Sequence, residues 1–99
     1  MKTRKNRELV LAFETLGDVN RYRIFRSLIE KKHRTVSDIA KTLGISMPLA
    51  SQHLKILVLS GLLSKKKYGR KVYNFLNLDN SSVRPIIKIF PINKKVSSK

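Results

Sequence analysis

The apolar residues near the start of the chain predict an amphipathic helix. Leu9, Ala12, Phe13 and Leu16 stand at positions i, i+3, i+4 and i+7, which lie on one face of a helix. Val10 widens this apolar stripe. The first helix therefore presents more apolar surface than one face packed within a single chain requires.

A second helix is predicted to begin after Gly17, with Asp18 as its N-cap residue. It ends in the basic segment 31–34, whose charges suit the negative end of a helix dipole. The residues spaced to face the interior are Tyr22, Phe25, Leu28 and Ile29.

The middle of the chain predicts two helices joined by a tight turn. Thr35 and Asp38 have the spacing of a capping box at the start of a third helix, and Gly44 suits the left-handed residue that ends it. Ser46 is placed to cap a fourth helix, with Pro48 in the first turn, where a missing N–H costs nothing. The order helix, glycine turn, helix is that of a helix-turn-helix.

The fourth helix has an apolar inner row and an outer row with little charge. The inner row is Ala50, Leu54 and Leu57, and the outer row is Met47, Ser51 and Lys55. Between Ser46 and Leu63, Lys55 is the one charged residue.

Two β-prone runs around the connection 68–70 predict a hairpin. Its tip carries five cations and no acid. Tyr73 and Phe75 share one strand face, and we expect both to be packing residues. A last helix is predicted from the helical spacing of Val83, Ile86, Ile87 and Phe90.

These elements predict a mainly α fold with a small β-hairpin: a winged helix-turn-helix of about five helices and a two-stranded wing. The predicted organisation is a basic leader at 1–8, a winged-helix domain at 9–90, and a flexible basic tail at 91–99.

The charge of the chain points to nucleic acid as a partner. The 99 residues include 22 Lys and Arg against 6 Asp and Glu, a formal net charge of +16. Residues 36–62 hold two basic groups and one acid, whereas residues 63–78 hold five basic groups and no acid. Cations therefore surround the helix-turn-helix but largely avoid it.

This distribution suits double-stranded DNA, because phosphates attract cations whereas base edges are distinguished by hydrogen bonds and apolar contacts. The residues predicted to read bases are Ser46, Met47, Pro48, Leu49, Ser51, Gln52 and Lys55. Those predicted to contact the DNA backbone are His53, Lys65, Lys66, Lys67, Tyr68, Arg70 and Lys71.

Other functions find little support in the sequence. There is no cysteine, the acids show no paired spacing, and His33 and His53 lie far apart without a local carboxylate. We therefore expect no enzyme activity, no metal, no cofactor and no evident small-molecule effector. The apolar runs are too short to span a membrane and no cleavable signal pattern follows the N-terminus, which predicts an intracellular protein.

At these residues the sequence resembles the ArsR/SmtB family of prokaryotic winged-helix transcriptional regulators. The resemblance covers about residues 9–78, and its most specific part is the pattern Ser51-x-His53-Leu54-x-x-Leu57. The matching stretches are LGDVNRYRIFRSL (16–28), TVSDIAKTLGIS (35–46), ASQHLKIL (50–57), SGLL (60–63) and YGRKVYNF (68–75).

The resemblance implies a homodimer that binds an operator of inverted half-sites. It also implies a cytoplasmic, nucleoid-associated protein of a prokaryote or of a virus in a prokaryotic host. It places the dimer interface on the first and last helices, at Leu9, Val10, Phe13, Val83, Ile86, Ile87 and Phe90. The family's usual metal ligands do not carry over, because the third helix has no cysteine pair. Val58 and Leu59 stand where family members more often have charged residues, and contact with the leader or another subunit is one hypothesis for them.

The sequence thus predicts a sequence-specific DNA-binding transcriptional regulator, most simply a dimeric repressor. Two alternatives stay open. One is a protein that coats nucleic acid without sequence preference, which the net charge favours. The other is a winged-helix module that binds a protein partner through Val58 and Leu59.

Overall fold

The computed structural model describes the backbone of residues 2–90 and the side chains of residues 6–90. Within this range it has five helices and one antiparallel hairpin, in the predicted order. The elements are α1 (Lys2–Thr15), α2 (Val19–Glu30), α3 (Val36–Leu43), α4 (Met47–Leu59), β1 (Leu63–Tyr68), β2 (Lys71–Leu76) and α5 (Val83–Ile89).

Helix α1 begins at Lys2 and so runs through most of the segment predicted as a basic leader. The predicted tail, 91–99, lies outside the described residues. The division into leader, domain and tail stays a prediction.

The predicted helix caps are confirmed. The carboxylate of Asp18 and the hydroxyl of Ser46 accept amide N–H groups in the first turns of α2 and α4. Thr35 and Asp38 form both hydrogen bonds of a capping box, and Gly44 ends α3 at φ 71°, a left-handed conformation that favours glycine.

The core lies between α2, α3, α4 and the start of the hairpin, with α5 closing one side. Phe25, Leu28 and Leu57 are buried as predicted. Tyr22 is only half buried, and Ile24 takes the interior position on that side of α2. The ring of Tyr22 instead stacks on Phe90, with ring centroids 5.0 Å apart.

The hairpin joins its strands through the two residues Gly69 and Arg70. Gly69 has φ 63°, and this left-handed residue gives the tight turn a twist that matches the strands. Register pairs Lys66 with Tyr73 and Lys67 with Val72. The tip therefore extends into solvent as a two-stranded wing.

The capping box at α3 makes a prediction about pH. The amide N–H of Thr35 donates to the Asp38 carboxylate at 3.0 Å and holds the pKa of Asp38 below its ordinary value, against an opposing effect of partial burial. Asp38→Asn is expected to lower the free energy of unfolding at pH 7 by about 0.5–1 kcal/mol. Urea denaturation of both proteins at several pH values measures it.

Because the native pKa of Asp38 is lowered, the carboxylate stabilises the fold above its unfolded-state pKa, and this contribution is lost as the pH falls through the native value. The difference between Asp38→Asn and the parent protein is therefore expected to shrink in acid. A difference that is the same at pH 7 and pH 3 contradicts the assignment.

Candidate nucleic-acid interface

The outer surface of α4 faces solvent. Met47 is 48% exposed, and Ser51, Gln52 and Lys55 are also exposed, whereas Leu49 is half buried. All of these residues except Met47 line an open groove along the helix, together with Ser46 and Pro48. All the residues predicted to read bases thus lie on or beside one accessible surface, although no bound DNA tests their roles.

Ser46 caps the N-terminus of α4 at the start of this surface. Its Oγ accepts the N–H of Leu49 at 3.1 Å, which satisfies one of the free amides of the first turn. The hydroxyl hydrogen of Ser46 remains able to donate to a ligand, but the oxygen is already engaged. Ser46 is therefore first a helix cap.

The wing presents its cations to solvent. Lys65, Lys66, Lys67, Arg70 and Lys71 are all exposed. The Nζ of Lys66 lies 5.5 Å from the centre of the Tyr68 ring, which is itself 57% exposed. The two half-buried aromatic residues of β2 pack locally: Tyr73 lies 6.1 Å from the Tyr68 ring, and Phe75 lies 5.7 Å from the His33 ring.

A cleft of about 410 Å³ separates α4 from the wing. Ser51, Lys55 and Val58 line it from α4, and Lys65 and Asn74 line it from the hairpin. The cleft therefore brings a cation of the helix and a cation of the wing to one concave surface, where both can face the same anionic ligand. Val58 also packs against the core, whereas Leu59 is 77% exposed.

The wing is held in place by Arg34 and Asn74, a pair the sequence did not reveal. Asn74 is 4% exposed, and its N–H and Nδ2 both donate to the Arg34 carbonyl, at 2.8 and 3.2 Å. The Arg34 N–H donates to the Asn74 carbonyl at 3.1 Å. The Arg34 side chain donates to the Ser27 carbonyl at 3.1 Å and to the Thr42 hydroxyl at 3.2 Å. One cation of the 31–34 segment thus ties β2 to α2 and α3.

Replacing Asn74 by alanine tests this anchor. The change removes the Nδ2 bond and leaves a cavity, so the free energy of unfolding is expected to fall by about 1–3 kcal/mol in urea denaturation. Thr42→Ala is the matched control, because it removes an exposed contact of the same network and should change stability by no more than about 0.5 kcal/mol. Equal losses in the two variants contradict a buried anchor at Asn74.

His53, for which a DNA backbone contact is predicted, packs between α4 and α2. Its side chain is 12% exposed and turned toward the start of α2, with Nδ1 at 3.4 Å from Arg21 Nη1 and at 4.0 Å from Asp18 Oδ1. Partial burial acts to raise the pKa of Asp18, but the amide N–H groups of Arg21 and Asn20, together with His53, lower it below its ordinary value. His53 therefore joins α4 to α2, and its contact with the DNA backbone stays a prediction.

The predicted dimer interface needs a correction at two residues. Val83 is 0% exposed and Ile86 is 2% exposed, because both pack in the core of the chain itself. Val10 and Phe13 on α1 are 55% and 52% exposed, and Ile89, which the sequence analysis missed, is 66% exposed. Leu9, Ile87 and Phe90 are partly buried against the core.

An apolar groove of about 260 Å³ runs between α1 and α5. Phe13 and Leu16 form one wall, Ile89 and Phe90 form the other, and Tyr22 lies beneath them. The exposed apolar surface of α1 therefore continues onto α5.

Within residues 2–90, no three His, Cys, Asp or Glu side chains come together in a group that could hold a metal ion. Over the same described range, no helix is long and apolar enough to cross a membrane.

Residues 18–65 match the model of a family described as bacterial regulatory protein, arsR family. Over 64 residues the chain is 34% identical to the cadmium resistance transcriptional regulatory protein CadC of Listeria innocua. The matched segment covers 65% of this chain and 54% of that protein. The chain thus spans about half the length of this relative. Over 77 residues it is 32% identical to an uncharacterized HTH-type transcriptional regulator of Methanocaldococcus jannaschii, covering 78% of this chain and 84% of that one.

Solved structures share the fold. Reduced HlyU from Vibrio cholerae aligns with a TM-score of 0.77 at 22% identity, over 89% of this chain and 90% of that chain. The transcriptional repressor PagR of Bacillus anthracis aligns with a TM-score of 0.73 at 27% identity, over 90% of this chain and 95% of that chain. A homodimeric winged helix-turn-helix DNA-binding domain from Mycobacterium bovis aligns with a TM-score of 0.73 at 22% identity, over 89% of this chain and 79% of that chain. The predicted winged helix-turn-helix fold is confirmed.

Proposed function

We propose that this chain, which belongs to the arsR family of bacterial regulatory proteins, is a dimeric repressor that binds an inverted-repeat operator through the outer surface of α4. The observation that carries the proposal is the surface of α4 itself. It is exposed, it holds one cation, and the cationic wing lies across a cleft from it.

Each part of this surface suits a different part of DNA. Gln52 and Ser51 offer hydrogen-bonding groups for base edges in the major groove, and Met47 offers apolar contact for the methyl group of thymine. The wing cations Lys66 and Arg70 suit phosphates, which carry charge but no base identity. Lys55 and Lys65 face each other across the cleft and suit the phosphates at the edge of the groove.

The dimer is supported by the apolar surface that α1 and α5 leave uncovered. Val10, Phe13 and Ile89 are each more than half exposed. An apolar patch of this kind marks protein–protein contact in soluble proteins. The related fold from Mycobacterium bovis is described as homodimeric, and PagR is described as a repressor. A two-fold dimer presents two copies of α4, which matches an operator of two inverted half-sites.

We do not extend the cadmium response in the name of CadC to this chain. Soft metal ions favour thiolate ligands, and the 99 residues include no cysteine. The proposed partners are double-stranded DNA and a second copy of the chain, and a regulator of this kind acts in the cytoplasm, where prokaryotic DNA lies.

Selection of bound sequences from a pool of random duplex DNA tests the proposal. We expect a palindromic consensus, bound about 10³-fold or more tightly than random DNA. A ratio near one supports instead a protein that coats nucleic acid, as the net charge of +16 allows. Undetectable binding even at low salt supports a protein-interaction module that uses the exposed Leu59.

A further inference from the structure

A second groove, of about 280 Å³, lies between the last turn of α2, strand β2 and α5. Ile29, Phe75, Leu78 and Ile87 are among its apolar lining residues. Phe75 and Asn74 are neighbours on one strand, so their side chains point to opposite faces of the hairpin. Asn74 lines the cleft beside α4, and the two lining sets share no residue, so this groove is separate from the proposed DNA surface.

The groove has a mostly apolar lining that includes one lysine. Lys32 and His33 complete its lining, and the ring of His33 lies 5.7 Å from the ring of Phe75. Among the described residues that line it, none is acidic. The exposed Lys32 ammonium is thus free of a nearby carboxylate within the groove and can pair with an anion.

This combination is typical of a small-molecule site. Such sites are concave, mostly apolar, and carry a few polar groups that fix the orientation of the ligand. Leu78 is 46% exposed in the unliganded chain, so apolar surface remains to be covered. A neutral apolar ligand leaves Lys32 unused, and a cationic one is repelled by it.

We propose that this groove binds a small amphipathic monocarboxylate, with its apolar chain along Ile29, Phe75 and Leu78 and its carboxylate beside Lys32. Octanoate, a straight apolar chain that ends in one carboxylate, has the combination of groups that this lining suits. The proposal deepens the proposed function, since β2 forms both the wing and one wall of the groove, but the binding itself requires no DNA.

Titration of the full chain with octanoate, followed by amide chemical shifts in the absence of DNA, tests the site. We expect the largest shifts at Ile29, Phe75, Leu78 and Ile87. Octylammonium, which has the same chain length and the opposite charge, is expected to bind at least about tenfold more weakly. Equal affinities for the two probes, or shifts that concentrate on the groove between α1 and α5, overturn the proposal.

Two lysine variants separate the groove from the general charge of the protein. Lys32→Gln is expected to weaken octanoate binding by about tenfold. Lys31→Gln is the matched control, because Lys31 is exposed next in sequence but does not line the groove, and a change within about twofold is expected. Equal weakening in both variants overturns the site.

Two further outcomes bear on the occupant and on the proposed function. If the shifts at the groove follow protein concentration and octanoate does not alter them, a second copy of the chain covers the groove and the ligand proposal fails. A chain that binds a palindromic operator but no octanoate overturns this inference alone. A chain that binds octanoate without any DNA preference overturns only the proposed regulator.

Discussion

Raising the salt concentration from about 50 to about 200 mM is expected to weaken DNA binding by about 10³–10⁵-fold, if α4 and the wing together contact about 6 to 10 phosphates. Each phosphate contact releases counterions from the DNA, so the logarithm of the affinity falls linearly with the logarithm of the salt concentration. Fluorescence anisotropy with a labelled duplex at five salt concentrations measures the slope.

The cations of the wing are expected to account for part of this salt dependence of the affinity. Lys66 and Arg70 are exposed at the tip of the hairpin, where neither side chain holds the fold together. Replacing both by alanine is expected to reduce the slope by about 2 and to weaken operator and random DNA alike.

Lys88→Ala provides the control for the wing, since Lys88 is an exposed cation on α5. We expect its slope to equal that of the parent protein. An unchanged slope in the double wing variant, or an equal reduction in Lys88→Ala, contradicts phosphate contact by the wing.

A Phe13→Glu variant is expected to be monomeric and to lose about 10²–10⁴-fold in operator affinity. Phe13 is 52% exposed and forms a wall of the apolar groove between α1 and α5, so a carboxylate there must be desolvated when two chains meet. Without the dimer, each half-site is bound independently and the gain from linking two sites disappears. Sedimentation velocity and anisotropy on the selected operator measure the two effects.

Val19→Glu controls for the added charge. Val19 is 68% exposed, lies at the first residue of α2, and is outside the predicted interface. An acid at this end of a helix is favourable, so the fold should tolerate it. We expect this variant to stay dimeric. A dimeric Phe13→Glu protein with full operator affinity contradicts the proposed interface.

Local chemistry made much of the fold predictable from the sequence. The capping box of Thr35 and Asp38, the left-handed Gly44 and the turn at Gly69 each depend on residues within a few positions of one another. The two rows of α4 were predictable for a related reason, because helical spacing alone separates the buried Leu54 from the exposed Ser51 and Gln52.

Features that depend on distant residues could not be predicted in this way. Arg34 and Asn74 are 40 residues apart, and nothing in the local pattern shows that a residue of a basic cluster turns inward to hold a strand. His53 likewise lies at the border between the exposed Gln52 and the buried Leu54, and its contacts with α2 explain its burial. Both residues were placed by packing between elements.

The apolar spacing of α5 shows a second limit. Periodicity identifies the face of a helix that avoids water but not the surface that covers it. Val83 and Ile86 are covered by the chain itself, whereas Ile89 is left exposed. A sequence pattern gives the same signal for the core of a protein and for its interface. For this reason the pattern assigned two core residues of α5 to the predicted interface.

The most direct test of base reading by α4 is the loss that Gln52→Ala causes on two DNAs. Gln52 is exposed on the outer surface of α4, so the variant should fold normally. On the selected operator we expect a loss of about 1–3 kcal/mol, confined to the preference at one base position, and on random duplex DNA almost no change. Equal losses on the two DNAs contradict the claim that this weakly charged helix surface distinguishes bases.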